Sequence, residues 1–348
     1  MTGNIKFRNA LKKVPQTVPP IWFMRQAGRY HSHYQALRKQ NSFEELCKVP
    51  DLAAEVAWGP IQDFDFDVAI LFSDILFPLE ALGMGLKYTD EGPRLSFQLD
   101  QDSIGKLKPA SEVCEFLNFQ GQAMALTRKK LPKDKSLIGF VGGIWTLFVY
   151  ACEGGHSGSL TKTKAQMHLF PQFAEAMSTL HTYTIQKQLD AGAEVVHIFD
   201  TAAGELSPAL FQQYVVPSLK KLAQRFPHQL GYYSKGTQIS FLSADLLSAP
   251  FTGFGFDHRW DLPKFLRGSR NELNVPGFIQ GNFDQALLHC HPDDLKKYLS
   301  DYIAAWKSLT FEQRAGWVSG LGHGILPKTP EANVHTFIQT IRKAFGES

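Results

Sequence analysis

The sequence predicts an α/β fold, a single-domain (β/α)8 barrel of the TIM type that spans residues 1–348. Three observations predict this fold: short apolar runs recur along the chain, segments with helical spacing separate them, and polar residues stand where the runs end. The runs are almost continuously apolar, as is typical of parallel strands buried on both faces. A strand followed by a helix, repeated eight times, is the pattern of this barrel.

The predicted strands are bounded by Gly, Pro or polar residues. They cover residues 21–25, 68–74, 137–143, 195–200, 230–235, 253–257, 277–282 and 317–323. Among the segments between and after them, 293–306 and 332–345 carry apolar residues at helical spacing. An open doubly wound sheet is the competing fold. However, no GxGxxG follows the first predicted strand, and the chain has no GxxxxGK[ST] motif.

Composition excludes several classes of protein. The 36 Lys and Arg residues nearly balance the 33 Asp and Glu residues, so the formal charge of +3 does not indicate nucleic-acid binding. Residues 1–40 nevertheless contain eight Lys and Arg residues and no acid, whereas residues 44–67 contain seven acids against Lys48 alone. Such blocks are typical of solvated helix faces or docking tails. The functional alternative is a basic lip for a polyanionic ligand.

The expected location is the cytoplasm. The four cysteines are far apart and never form CxxC, which favours a reducing compartment over a disulfide framework. The first residues lack the apolar stretch of a secretory signal. No membrane span is expected either, because the longest uncharged stretch, 136–152, is shorter than the roughly 18 residues that a spanning helix needs.

Candidate functional residues stand at the ends of the predicted strands, which converge on the active-site face of a barrel. Arg25 and Arg29 are four residues apart, so they share a face if the segment is helical. Their guanidinium groups could bind carboxylates of one ligand, or they could form salt bridges to the acidic stretch that follows. The spacing alone leaves both interpretations open.

Two further strand ends carry titratable residues. Asp74 has apolar neighbours on both sides, so its carboxylate needs a partner: a helix N-terminus or an arginine, or else a cationic or NH-rich ligand. His323 lies between glycines, which leave the backbone free to expose the imidazole, although a lone His is usually a packed one. Tyr150 and Thr201 are weaker candidates. The segment 289–291 contains two His and one Cys, but it lacks a further ligand at zinc-like spacing.

Together these segments resemble the uroporphyrinogen decarboxylase family. The resemblance rests on residues 20–30, 69–76, 143–147 with Tyr150 and 153–155, 199–204, 280–284 and 321–324. It implies a (β/α)8 barrel, a homodimer with facing active-site clefts, no cofactor and no metal. The implied reaction is the stepwise decarboxylation of the four acetate side chains of uroporphyrinogen III, which gives coproporphyrinogen III and CO2 in haem biosynthesis.

The resemblance also implies roles for six residues at the family's active-site positions. They are Arg25, Arg29, Asp74, Tyr150, Thr201 and His323. Asp74 would accept hydrogen bonds from the pyrrole NH groups and stabilise the cation that develops on the ring, and Arg25 would assist ring protonation. The others would bind or position substrate carboxylates. Thr201 stands where many members have Ser, which keeps the hydroxyl.

Some positions depart from the common pattern of the family. They are His31, His33, Ile144, His156, Ala202 and Gln285. They leave open a divergent relative with another substrate. One rival is the group of zinc-dependent methyltransferases of the same superfamily, but these need a His-x-Cys and a later Cys, and residues 232–236 contain no thiol. Another is a barrel that binds tetrapyrroles without turnover.

Overall fold

A curled sheet of seven parallel strands forms the centre of the computed structural model, and helices cover its outer face. The structure describes residues 3–89, 91–156, 158–267 and 275–346. The strands are β1 (Val68–Ile70), β2 (Lys87–Thr89), β3 (Gly92–Arg94), β4 (Ser136–Gly142), β5 (Val195–Asp200), β6 (Leu230–Ser234), β7 (Gly253–Phe256), β8 (Phe278–Gln280) and β9 (Trp317–Val318). The order in the large sheet is β1-β4-β5-β6-β7-β8-β9, whereas β2 and β3 form a separate antiparallel hairpin.

Helices follow the strands in the alternation that the sequence predicts. They are α1 (Ile5–Leu11), α2 (Ser32–Arg38), α3 (Phe43–Lys48), α4 (Pro50–Phe64), α5 (Phe77–Ala81), α6 (Ala110–Val113), α7 (Asn118–Lys130), α8 (Ile144–Glu153), α9 (Thr161–Ala165), α10 (Phe170–Asp190), α11 (Pro208–Leu210), α12 (Val216–Arg225), α13 (Ala244–Leu247), α14 (Leu262–Arg267), α15 (Pro292–Lys307) and α16 (Glu331–Phe345). Both predicted helices are confirmed, as α15 and α16. In α15 the apolar positions four apart, Leu295, Leu299 and Ile303, are buried, whereas Tyr298 is exposed.

Seven of the eight predicted strands are confirmed, and most end one to five residues earlier than predicted. The seven-stranded sheet is fully parallel, and its strands are buried at every position, as the continuous apolar runs indicate. The polar residues that end the predicted runs therefore mostly lie in the loops just beyond the strands. This places them at the carboxyl end of the sheet, the end that carries the site in barrels of this kind.

The prediction of a first strand at residues 21–25 is wrong. Only Ile21 pairs, in a single parallel bridge to Ser319. Two features of the sequence limit the pairing. Pro20 has no backbone N–H to donate, and Arg25 has a φ of 61°, which ends the extended conformation. The bridge still closes the ring, because Ser319 donates its N–H to the Pro20 carbonyl, 2.9 Å away, and the Asp67 N–H donates to the Ile21 carbonyl, 3.0 Å away.

The buried carboxylate of Asp67 fixes this closure. It accepts hydrogen bonds from the Ile21 N–H at 2.8 Å and from the Asn4 side-chain amide at 3.1 Å. The Lys6 ammonium lies 2.9 Å from the same carboxylate. A buried carboxylate is stable only when such partners replace water. Asp67 thereby joins the segment before β1, helix α1 and the bridging residue.

Two expectations about location can be compared with the structure. Within the described ranges, no helix is both long enough and apolar enough to cross a membrane. The four cysteines are free thiols: Cys47 and Cys152 are buried, and Cys114 and Cys290 are half-buried.

Replacing Asp67 should weaken the whole fold. We expect Asp67→Ala to lower the free energy of unfolding by about 3 kcal/mol, because two buried donors and the cations of Lys6 and Arg342 lose their shared acceptor. Urea unfolding followed by circular dichroism measures the change. The control is Asp301→Ala, which removes an exposed carboxylate from α15 and should change stability by less than about 0.5 kcal/mol. Equal effects of the two substitutions would contradict the role of Asp67.

Candidate active site

Five of the six candidate residues follow five different positions of the ring, each beyond the carboxyl end of its strand or, for Arg25, beyond the Ile21 bridge. Arg25 follows the Ile21 bridge, Asp74 follows β1, Tyr150 lies on α8 after β4, Thr201 directly follows β5, and His323 follows β9. Electrostatic interactions connect Arg25 with Asp74, Tyr150 and His323. The structure therefore brings these four residues together at one mouth of the barrel. Thr201 shares this end through its place in the sheet.

Asp74 is half-buried, and its partners are protein groups, namely a backbone N–H at the start of a helix and the charge of Arg25. The Leu76 N–H, at the start of α5, donates to Asp74 Oδ1 at 2.8 Å. Burial raises the pKa of the Asp74 carboxyl, while the Leu76 N–H, the Tyr88 hydroxyl and the Arg25 charge oppose this shift. A carboxylate with one short backbone hydrogen bond retains acceptor capacity on its other oxygen. Asp74 can therefore still accept hydrogen bonds from a ligand.

The two arginines are exposed, and neither forms an ion pair with the acidic stretch 44–67 in the described part of the chain. This argues against the salt-bridge interpretation of the pair. The Arg25 side chain extends over Gly324, where a Cβ atom would lie 2.5 Å from Arg25 Cδ. The charge of Arg29 acts instead on Tyr34 in α2. Its convergence with Arg25 on one ligand stays a prediction.

His323 is held by a residue that the sequence analysis missed, Tyr233 in β6. The Tyr233 hydroxyl donates to the Gly322 carbonyl at 2.8 Å and lies 3.1 Å from His323 Nδ1. The two rings stack, with centroids 6.0 Å apart and planes at 12°. Burial lowers the pKa of His323 to about 3, and the charges of Arg25, Lys235, His258 and Arg259 act in the same direction. The imidazole is therefore neutral at physiological pH and fixed in orientation.

The glycines on either side of His323 are explained by the close packing of neighbouring residues, and not by the predicted need to expose the imidazole. A Cβ atom on Gly322 would lie 2.3 Å from the His258 backbone nitrogen. The space beside Gly324 is occupied by Arg25. Glycine at both positions thus lets neighbouring loops approach the histidine closely.

Tyr150 and Thr201 present hydroxyl groups at the same end of the sheet. Both residues are half-buried, and neither hydroxyl forms a hydrogen bond to another described residue. Burial and the charge of Asp74 raise the pKa of Tyr150, so its hydroxyl keeps its proton. The Tyr150 ring also contacts His156, with centroids 6.4 Å apart. These hydroxyls can donate to a ligand, and their binding role stays a prediction.

Two buried aspartates lie at strand ends near the candidate residues, Asp200 in β5 and Asp257 directly after β7. Asp200 accepts hydrogen bonds from the Thr146 hydroxyl at 2.6 Å and the Tyr232 hydroxyl at 3.1 Å, and burial raises its pKa to about 6. Asp257 accepts from the Gly236 N–H at 2.6 Å and pairs with Arg259. The strand-end pattern marks both residues, but only the fold shows which groups they bind. They position loops and leave Asp74 as the carboxylate with spare acceptor capacity.

The described ranges contain no group of three or more His, Cys, Asp or Glu residues arranged to hold a metal ion. In the segment 289–291, His289 Nε2 forms a hydrogen bond with the Thr329 hydroxyl at 3.0 Å.

Comparisons with known proteins show the family of the chain. The family described as uroporphyrinogen decarboxylase (URO-D) matches residues 2–344. A protein named uroporphyrinogen decarboxylase from Chlorobium phaeobacteroides is 33% identical over 357 residues, covering 99% of this chain and 98% of its own. One of the same name from Pelodictyon phaeoclathratiforme is 34% identical over 356 residues, with the same coverage. Among solved structures, a methyltransferase from Methanosarcina mazei has a TM-score of 0.78 at 17% identity, covering 99% of this chain and 100% of that one.

The low pKa of His323 leads to a prediction about pH. The native state binds a proton on His323 less readily than the unfolded chain, whose His pKa is near 6.5. The contribution of His323 to the free energy of unfolding is therefore fully present above that pH and is lost as the pH falls towards 3. We expect the ring to stay neutral as the pH falls from about 8 to about 5. NMR of protein labelled with 15N-histidine tests this, with His323→Gln to assign the signal. A titration midpoint near the ordinary value would contradict the burial that the structure shows.

Proposed function

Because the chain belongs to the uroporphyrinogen decarboxylase family, a family of carboxy-lyases in porphyrin biosynthesis, we propose that it decarboxylates uroporphyrinogen III. The four acetate side chains become methyl groups one after another, and the products are coproporphyrinogen III and CO2. The observation that carries the proposal is the placement of a half-buried Asp74 within electrostatic range of Arg25 and Tyr150 at the mouth of the barrel, with His323 within range of the same Arg25.

The chemistry needs an electron sink for the carbanion that is left when CO2 departs. Protonation of the adjacent ring carbon makes the pyrrole itself this sink, so the proposal needs no cofactor and no metal. Asp74 accepts hydrogen bonds from the pyrrole NH groups and stabilises the cation that develops on the ring. A carboxylate held in advance by the Leu76 N–H does not have to reorganise as charge develops. Arg25, within electrostatic range of Asp74, assists the protonation.

The remaining candidates bind the carboxylates of the substrate. Arg25 and Arg29 are suited to this role because guanidinium groups bind carboxylates in bidentate fashion and neither is engaged with the acidic stretch. Tyr150 and Thr201 contribute hydroxyl donors. His323 is neutral, so it contributes hydrogen bonding rather than charge. Because Asp74 faces the macrocycle centre in this arrangement, rotation of the substrate presents each of the four rings to the same groups.

A methyltransferase activity is the main alternative, and the site favours the decarboxylase. The likeness to the Methanosarcina mazei methyltransferase is at 17% identity and supports the fold alone. The loop after β6, where the zinc-dependent methyltransferases need a thiol ligand, contains Lys235 and Gly236.

We also propose that residues 1–348 act as one domain, that the protein is a cytoplasmic homodimer, and that it has no nucleic-acid partner. The near balance of charges supports the absence of a nucleic-acid partner, and the free cysteines support the cytoplasm. The homodimer is what the resemblance to the family implies. Sedimentation equilibrium tests the dimer: a mass near 39.0 kDa would indicate a monomer and contradict it.

The direct test is anaerobic incubation of the EDTA-treated protein with uroporphyrinogen III, followed by oxidation and chromatographic counting of carboxyl groups. Accumulation of products with seven to four carboxyl groups is the expected result. Unchanged substrate, in a preparation with a cooperative unfolding transition, would contradict the proposal. Activity that disappears on EDTA treatment and returns with a divalent cation would contradict the metal-free mechanism.

Asp74→Asn should fold and lose most of its turnover. The amide oxygen can still accept from the Leu76 N–H, but an uncharged group stabilises the ring cation far less, so we expect kcat to fall by at least about 100-fold. The same chromatographic assay measures kcat. Asp301→Asn, an exposed change on α15, serves as the control and should retain normal turnover. Near-normal turnover of Asp74→Asn would remove Asp74 from the chemical step.

Arg29→Ala should mainly weaken substrate binding. We expect KM to rise by about tenfold with a smaller change in kcat, since the arginine binds a carboxylate that does not react. Initial rates at several substrate concentrations separate the two constants. The matched control is Arg225→Ala, which removes an exposed guanidinium at the end of α12. A KM equal to that of the unmodified protein would show that Arg29 does not contact substrate.

A further inference from the structure

Lys235 lies across the barrel mouth from the arginines. The sheet order places Ile21 between β9 and β1, so the ring has eight positions and β6 is the fourth position from Ile21 in either direction. Arg25 follows Ile21, and Lys235 is the first residue after β6. Because carboxyl ends share one face of a barrel, the backbones of the two residues stand on opposite sides of the same opening, and both side-chain charges act on His323. Thr201, directly after the neighbouring β5, is the nearest of the proposed binding residues, and its hydroxyl supplies no charge on this side.

The Lys235 backbone is rigidly placed. Its carbonyl accepts from the Gly204 N–H at 3.1 Å, and its N–H donates to the Asp200 carbonyl at 3.4 Å. A Cβ atom on Gly204 would lie 2.4 Å from the Lys235 carbonyl oxygen, so only glycine permits this approach. The loops after β5 and β6 are therefore locked together beneath the side chain. This fixes where the lysine leaves the backbone.

The Lys235 side chain has no carboxylate partner. It is half-buried, yet no Asp or Glu of the described ranges lies within ion-pair distance of its ammonium. The nearby Asp257 is already engaged by the Gly236 N–H and Arg259. An ammonium that is partly removed from water without a counterion costs free energy, and an anionic ligand offsets that cost. Lys235 is also within electrostatic range of His323, so it faces the opening.

His156 supplies a second polar group on this side. Its half-buried ring packs edge-on against Tyr150, with planes at 62°, and neither ring nitrogen forms a hydrogen bond to another described residue. Lys235 and Glu205 are the charged groups within electrostatic range of the ring. Burial lowers the pKa of His156, Glu205 opposes this and Lys235 adds to it. The ring is thus neutral near pH 7 and offers one N–H donor.

We propose that Lys235 and His156 form a second carboxylate-binding subsite, which holds a substrate carboxylate on the side of the mouth opposite the arginines. This inference rests on the proposed function, since it assumes a substrate with carboxylates around its whole rim. Lys235 supplies the charge, and the His156 N–H completes the hydrogen bonding. Carboxylate binding on two sides of the macrocycle fixes its centre over Asp74. Cations on one side alone would leave that position undetermined.

The test measures binding and turnover separately in Lys235→Met and His156→Gly. KM and kcat for uroporphyrinogen III are measured anaerobically, and Kd by calorimetric titration into the same variants on an Asp74→Asn background, which suppresses turnover. We expect Lys235→Met to raise KM and Kd by about tenfold and His156→Gly by about threefold, with kcat changed by less than about twofold. Because the two groups share one carboxylate, the double variant should lose less than the product of the single effects.

Conservative variants and a distant lysine provide the controls. Lys235→Arg keeps the charge and His156→Gln keeps an N–H donor, so each should recover most of the affinity. Lys221→Met removes an exposed charge from α12 and should leave KM and Kd unchanged. Melting curves of every variant show that the fold is retained.

The outcomes separate the subsite from the proposed function. If the unmodified protein decarboxylates uroporphyrinogen III but both variants keep KM and Kd within about twofold, the subsite is wrong and the function stands. If the protein binds uroporphyrinogen III without turnover, the function is wrong and the ratios of Kd decide the subsite. If it neither binds nor converts uroporphyrinogen III, both proposals are wrong. A loss confined to kcat would also overturn the subsite.

Discussion

The closure of the ring at Ile21 is the constraint on which the rest of the structure depends. Seven strands form the sheet, and one residue, fixed by the buried carboxylate of Asp67, fills the eighth position. Arg25 comes only four residues later, with a left-handed backbone that turns it towards Gly324. The position of Arg25 near Asp74 and His323 therefore depends on Asp67, which lies just before β1, at the end of the barrel opposite the mouth.

The charged residues at the mouth of the barrel are of two kinds: those bound by other protein groups and those that can still bind a ligand. Asp200 and Asp257 are buried, and hydrogen bonds from hydroxyls, backbone amides and Arg259 satisfy them. Asp74 keeps an open side, and Lys235 and the arginines lack ion-pair partners among the described residues. A pocket built in this way has its spare hydrogen-bonding capacity aimed at the ligand. Neutral His323 adds a donor or acceptor without adding charge.

The sequence was sufficient to predict most of the architecture because buried parallel strands leave a strong apolar pattern. It failed at 21–25, where the run is apolar but Pro20 and the φ of Arg25 prevent a ladder. Strand ends identified Asp74 and His323, since polar residues there are rare in such runs. Tyr233 was missed because its contact with His323 joins residues distant in sequence. No pattern along a single strand records such contacts.

The unpaired cations around the mouth also affect how quickly a ligand arrives. Arg25 and Lys235 follow opposite positions of the ring around one opening, and basic residues dominate the first forty positions of the chain. A positively charged funnel with low-dielectric walls concentrates field lines and draws a polyanion in before any contact forms. Added salt shortens the range of this field, to about 8 Å at physiological ionic strength. Encounter with a polyanionic ligand is then governed by long-range attraction, whereas its residence time is governed by the contacts within the site.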